Sequence, residues 1–177
     1  MKITSTRVAT KADAKAIAEL ANEHELSVDS KSSLFSEQGA LDFISGYIDP
    51  SVAYLVSIGD EPAFSAVINL HPDSVTGRFY TDVYARPRVE NLENIVLWAI
   101  ELANSQHADW DIRPGVNSLD KRLQNAWAKH GFEFLRRYYT MRMSISSAPT
   151  IRHIQGVEIR SIDISNPDQV ALWHLLH

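Results

Sequence analysis

The chain has 177 residues, 45% of them hydrophobic and 22% charged, which is room for one well-packed domain and a remainder. Its 17 basic and 22 acidic residues leave a formal charge of −5 with no basic block, which sets aside nucleic acid and an anionic membrane as main partners. Without cysteine there are no disulfides, thiolate nucleophiles or cysteine-held metals, and without a signal core or a membrane-length apolar run a cytoplasmic location is expected.

The elements follow in chain order. A short strand from about Ile3 to Ala9 leads into Thr10-Lys11-Ala12-Asp13, a capping-box pattern for a helix that buries Ala14, Ile17, Ala18 and Ala21. Glu23, His24 and Glu25 read as a solvated helix end. A polar stretch from Ser27 to Gln38 precedes a second helix carrying Leu41, Ile44 and Ile48, stopped by Pro50. Val52–Ile58 is a buried strand, Ala63–Leu70 the next, and Arg78–Tyr84 a third, with His71–Gly77 as the turn between the last two. The spacing of Leu92, Ile95, Val96, Ala99, Leu102 and Ala103 predicts a helix to about Ser105. Asp109–Pro114 is a weaker strand. Ser118 is expected to cap a helix with Leu119, Leu123, Ala126 and Trp127 inward, and Gly131 suits the left-handed stop. Phe132–Ile145 is predicted as a long final strand, with Tyr138 and Tyr139 on its alternating faces.

The segment from Gly77 to Ala103, strand then turn then helix, followed by a helix ending at Gly131-Phe132, resembles the GNAT family of acetyl-CoA-dependent N-acetyltransferases. The resemblance covers about residues 3–145. It implies an α/β (α+β) fold, a twisted mixed sheet flanked by helices. It also implies acetyl-CoA as cofactor, a small-molecule or peptide amine as acceptor, and a strand amide near Val83 to Ala85 that polarises the thioester carbonyl.

The family's phosphate turn carries an Arg or Gln, two residues, a Gly, one residue, then Gly or Ala. Here Arg88 takes the first position, while Asn91 and Glu93 stand at the two small ones and Glu90 between Arg88 and Asn91. Backbone amides at a helix start bind phosphate because they are unpaired and lie at the positive end of the dipole. Carboxylates there repel it, by about 1 kcal/mol per charge pair 4 Å apart in water and about 4 near a protein surface. Arg86 and Arg88 offset part of that. The position of the family's proton-donating tyrosine falls on Trp127, whose indole N–H is no general acid, and its common Asn falls on Asp120. Val83, Ala85, Arg86, Arg88 and Asn91 are thus the candidate cofactor residues. Asp82, Tyr84 and Tyr139 are the candidate catalytic ones, weighed against a solvated or purely structural role. No metal site is expected: His174 and His177 share a helix face but lack a third ligand. The resulting expectation is a degenerate, weakly active or non-catalytic GNAT domain. The alternatives are a scaffold or substrate-recognition domain on a catalytic partner, and an active N-acetyltransferase with an unusual CoA site.

The tail repeats the opening. Ser146–Gly156 reads as a linker, Val157–Ile162 as a strand, and Ser165-Asn166-Pro167-Asp168 as another capping box before Ala171, Leu172 and Leu175. Arg7 precedes Asp13 as Arg160 precedes Asp168, and Ala16, Ile17 and Leu20 align with Ala171, Leu172 and Leu175. The division expected is therefore 1–146 as the GNAT-like domain, 147–156 as linker, and 157–177 as the first strand and helix of a second GNAT-like repeat. This would be the N-terminal half of a tandem protein. The apolar face of that tail is expected to dock on the first domain's sheet, a partner domain or a second copy.

Overall fold

The computed structural model describes residues 3–45, 52–58, 64–139, 156, 161–163 and 165–174. Contacts divide the chain into two units, Met1–Leu135 and Arg136–His177.

The first unit is built on a five-stranded sheet in the order β1-β2-β3-β4-β5: β1 (Ile3–Val8), β2 (Val52–Ile58), β3 (Ala66–Asp73), β4 (Arg78–Ala85) and β5 (Asp111–Gly115). Neighbours run antiparallel through β4, and β5 lies parallel to β4, with the crossover made by α3 (Leu92–Gln106). A parallel neighbour needs such a crossover, so the long apolar helix after β4 dictates the mixed sheet.

Strand alternation sends side chains to two cores. Leu55 and Val67 pack with Ile17 and Leu20 of α1 (Ala14–Val28) and with Ala40 and Phe43 of α2 (Glu37–Ser45). Val56, Ile68 and Val83 pack on the other face with Ile95, Val96 and Ala99 of α3 and with Leu123, Ala126 and Trp127 of α4 (Lys121–Lys129). Burying each large side chain is worth about 1.5–3 kcal/mol, so the α3 stripe anchors the sheet as its spacing predicts. Thr10 and Asp13 form the expected box: Asp13 accepts from the Thr10 amide at 2.8 Å and hydroxyl at 2.9 Å. Arg7 clamps the same carboxylate at 2.6 and 2.8 Å, and that charge-assisted pair holds Asp13 well below the usual carboxylate range.

Several sequence-based expectations shift. β3 begins at Ala66 and continues through His71-Pro72-Asp73, so the hairpin turn is Ser74–Gly77 alone. The Asp73 carboxylate accepts from the Val75 and Thr76 amides, and Gly77 at φ 64 completes the turn. β5 starts at Asp111 rather than Asp109 and ends at Gly115. α1 runs through Ser27 to Val28, and α2 begins at Glu37; Ile48 and Pro50 lie outside the described residues. The α4 cap is Asp120, not Ser118: its carboxylate accepts from the Leu123 amide at 2.9 Å, and Leu119 is left exposed.

Gly131 takes φ 84 as expected and returns Phe132 onto Trp127, ring centroids 4.7 Å apart. Residues 132–139 then form no strand. An extended segment becomes a strand only against a hydrogen-bonding neighbour, and among the described residues β5 pairs with β4 alone. The remainder of the predicted strand, to Ile145, lies outside the described residues.

In the second unit, α5 (Pro167–His174) starts with proline at its first position. Its cap is Asn166 rather than Ser165, accepting from the Asp168 amide at 3.0 Å and the Gln169 amide at 3.3 Å. The predicted strand residues 157–160 are outside the described set, and Ser161–Asp163 has no regular structure. Leu172 and Trp173 are exposed.

Candidate functional site

β4 and β5 part company at one point. Their ladder runs from Arg78↔Asp111 to Asp82↔Gly115 and stops, so Val83, Tyr84 and Ala85 extend past it. A Cβ on Gly115 would sit 2.5 Å from the Asp82 Oδ1, so the glycine is what lets this carboxylate lie over the end of the ladder. Asp82 keeps contact with water, yet the protein around it pushes its carboxyl up to about 6; His71 pulls it down and Glu25 adds to the rise. Tyr84 is held among Phe35, Phe43 and His24, with ring centroids 5.5–5.9 Å away. Burial, then the charges of Asp82 and Glu25, push its phenol up. Such a hydroxyl keeps its proton at any ordinary pH.

The end of β4 is covered by a residue expected in solvent. His24, near the C-terminal end of α1, is buried. Its Nδ1 lies 3.1 Å from the Ala85 carbonyl oxygen and 3.3 Å from the Ala85 amide nitrogen. Its Nε2 lies 3.2 Å from Asp120 Oδ2, an ion-pair distance off the line of a hydrogen bond. Burial lowers the imidazole's affinity for a proton, but Asp120, the Ala85 carbonyl and the charge of Glu25 outweigh it, and the group ends above its ordinary value. Asp120 moves the other way: burial raises it, and His24, the Leu123 amide and Arg122 together bring it below. Glu25 is no free helix end either, since it accepts from Ser32 Oγ and from Asn117 Nδ2, both at 3.2 Å. The expectation of a solvated Glu23-His24-Glu25 is thus corrected at two of its three positions. Tertiary packing of α1 against β4 and α4, which no local pattern encodes, is the reason. His24, Ala85, Leu92, Leu119 and Asp120 line a cavity of about 360 Å³ rimmed by Lys121 and Arg122. A larger groove of about 660 Å³ between β1 and α3 holds none of the candidate residues.

The turn between β4 and α3 is occupied by its own side chains. Asn91 Oδ1 accepts from the Asn94 amide, a donor that an incoming phosphate would use. Arg122 donates to the carbonyls of Pro87 and Val89. Arg86 bonds the Phe64 carbonyl at 3.1 Å and pairs with Glu23. Glu93 pairs with Lys129, and Glu90 is exposed. A pyrophosphate at this turn would compete with Asn91 for the Asn94 amide and meet a carboxylate in the first helical turn. Of the candidate cofactor residues, Val83 and Ala85 lie on β4, Arg86 and Arg88 in the turn, and Asn91 at the α3 cap. Asp82 and Tyr84 share the opposite face of β4, and Tyr139 belongs to the other unit, exposed. Trp127 is buried in the core with Phe132 rather than facing the cavity. Among the described residues no cluster could hold a metal ion, and no helix is long and apolar enough to cross a membrane.

The fold has known relatives. A GNAT-family acetyltransferase from Staphylococcus aureus MU50 superposes with a TM-score of 0.61 at 13% identity, over 75% of this chain and 86% of that one. A predicted acetyltransferase with acetyl-CoA from Clostridium acetobutylicum gives 0.56 at 11%, over 78% and 95%. A GCN5-related N-acetyltransferase from Sphaerobacter thermophilus gives 0.58 at 18%; the match takes in 71% of this chain but only 42% of that one. No protein-family model and no curated protein matches the sequence. The chain has the GNAT acetyltransferase fold, a mixed α/β sheet flanked by helices.

Proposed function

We propose that this chain is a degenerate GNAT domain that does not carry acetyl-CoA at its β4–α3 turn and acts as a non-catalytic partner of a catalytic domain. The observation that supports it most is the self-filled turn, in which Asn91 takes the α3 amide and Arg122 takes the turn carbonyls. Calorimetry with acetyl-CoA is expected to give no saturable binding at micromolar concentrations. A micromolar dissociation constant abolished by Arg88→Ala overturns the reading, and acetyl transfer to an amine would restore the active-enzyme alternative.

The S. thermophilus relative is more than twice as long as the part matched, which supports the tandem arrangement and a docking role for the tail. Exposed Leu172 and Trp173 on α5 are the side chains such docking would cover. A homo-oligomer is expected. Light scattering should show fewer chains per particle for a chain ending at Ser147 than for the full chain; an unchanged number of chains sinks this part.

A second reading, recognition of an amine, is favoured by Asp82, a carboxylate held at the open end of the β4–β5 ladder. Methylamine titrated at pH 8 should shift the Asp82 carboxyl carbon resonance, and an unmoved resonance rejects it.

A further inference from the structure

The groove of about 660 Å³ between β1 and α3 lies at the edge of the sheet away from β5. α3 presents Asn94, Leu97, Trp98 and Glu101 to it, at intervals of three and four residues that share one helix face. β1 presents Ile3 and Thr6. Thr6 pairs with Val56, which belongs to the core under α3, so the Thr6 hydroxyl is on the groove side of the sheet. The Ala9 amide bonds the Ala53 carbonyl, and along an antiparallel strand every second residue bonds to the same neighbour. Arg7 and Ser5 thus face β2, and Thr6 turns its carbonyl to the open edge.

Packing leaves three groups of this groove unused. Leu97 is 40% exposed, although its neighbours Ile95, Val96 and Ala99 are buried. Glu101 is exposed, and its carboxylate has no hydrogen bond or ion pair among the described residues. Trp98 is half-buried, and the Tyr54 ring of β2 meets it in a T-shaped contact, centroids 5.4 Å apart and planes at 73°. That contact fixes the indole, whose face attracts a cation. Among the described residues no Lys, Arg or His lines the groove, and the whole chain carries a charge of −5, which draws cations toward it.

We propose that this groove binds a primary alkylammonium ion, its hydrocarbon chain against Ile3, Leu97 and Trp98 and its ammonium on the Glu101 carboxylate. The apolar walls select the chain, and the carboxylate selects the sign of the head group. A primary ammonium brings three N–H donors, and the groove supplies acceptors for them in Glu101 and in the hydroxyl and carbonyl of Thr6. A quaternary ammonium would leave those acceptors unmet, and an anion would be repelled. Binding is reversible and makes no covalent bond. Asp82 is three strands away and on the other face, since it pairs with Asn69, and Asn69 with Ala53 of the core under α1. The groove is therefore separate from the end of β4, and nothing in it depends on what the β4–α3 turn binds.

Proton–nitrogen NMR on the full chain tests it, with butylammonium as the probe at constant ionic strength. The Trp98 indole N–H and the Leu97 amide should shift together along one saturating curve. Butanol keeps the chain without the charge and should bind several-fold more weakly. Butyrate reverses the charge and should not bind. Glu101→Gln should weaken butylammonium by about two- to fivefold, the worth of one exposed charge pair, and leave the butanol response as it was. Equal responses to butanol and butylammonium, shifts that do not saturate, or full affinity in Glu101→Gln each overturns the proposal. The ligand series on the wild type decides by itself, whatever the variant does. The Asp82 carboxyl carbon, read in the same samples, reports the other amine site, so either reading can fail alone.

Discussion

The C-terminal end of α1 and the N-terminal end of α3 look alike in the sequence: Glu23-His24-Glu25 and Glu90-Asn91-Leu92-Glu93 are both short acidic runs at helix ends. In the structure they part. The α3 end stays close to its local chemistry, with Asn91 capping, Glu90 in water and Glu93 paired at the surface with Lys129. The α1 end is drawn into the protein, with His24 buried against Ala85 and Asp120. A helix N-terminus fixes its own needs within one turn, because its unpaired amides must be met by nearby acceptors. A histidine at a C-terminal end has no such local assignment, and its partners come from elements 61 residues away in the case of Ala85.

The sharpest way to break that comparison is at Asp120. Asp120→Ala removes the α4 cap, worth about 1 kcal/mol, and strips the buried imidazolium of its counterion. Urea unfolding should show about 1 kcal/mol of lost stability from the cap at high pH and a larger loss where the imidazole is charged, limited because the ring can shed its proton. The signs of the two titrations make the loss depend on pH. His24 is raised, so its contribution is complete below its ordinary value of 6.5 and disappears as pH rises through its folded value. Asp120 is lowered, so its contribution is complete above its ordinary value of 3.8 and disappears as pH falls through its folded value. The gap between wild type and variant should be widest between those ordinary values, 3.8 and 6.5, and narrow on both sides. A gap that does not vary with pH would mean that only the cap was lost.

What could be read from the sequence divides along the same line. The α3 stripe and the strands β2, β3 and β4 were legible, because apolar spacing at three to four or at two residues is set by the geometry of helix and strand, while the helices flanking the sheet were what the family resemblance implied. The position of the turn between β4 and α3 was legible for the same reason. Strand ends were not: β3 outran its apolar residues through His71-Pro72-Asp73 because the hairpin partner β4 pairs with all of them, Pro72 opposite Phe79 included. The strand expected after Phe132 failed at residues 132–139 for want of a neighbour, a condition that no segment carries in itself. His24 was missed outright. The one available signal was its position, four residues after Leu20 and seven after Ile17 on the buried stripe of α1. That spacing places the residue on the inner face, and the inference is open wherever a polar residue continues an apolar stripe.

The smallest effect belongs to the other end of the comparison. Glu93 and Lys129 form an ion pair at the surface, with side chains 44% and 61% exposed. Water screens such a pair, and ordering two long side chains offsets much of what attraction remains, so exposed pairs contribute about 0–1 kcal/mol. Glu93 also adds an acidic charge to the first turn of α3, favourable to the dipole by about 0.3–1 kcal/mol and likewise screened by salt. Glu93→Ala should therefore change unfolding stability by less than about 1 kcal/mol, and by less still in high salt. A loss as large as that at Asp120 would show that the α3 end is fixed by packing rather than by its own charges, and the contrast between the two helix ends would fall.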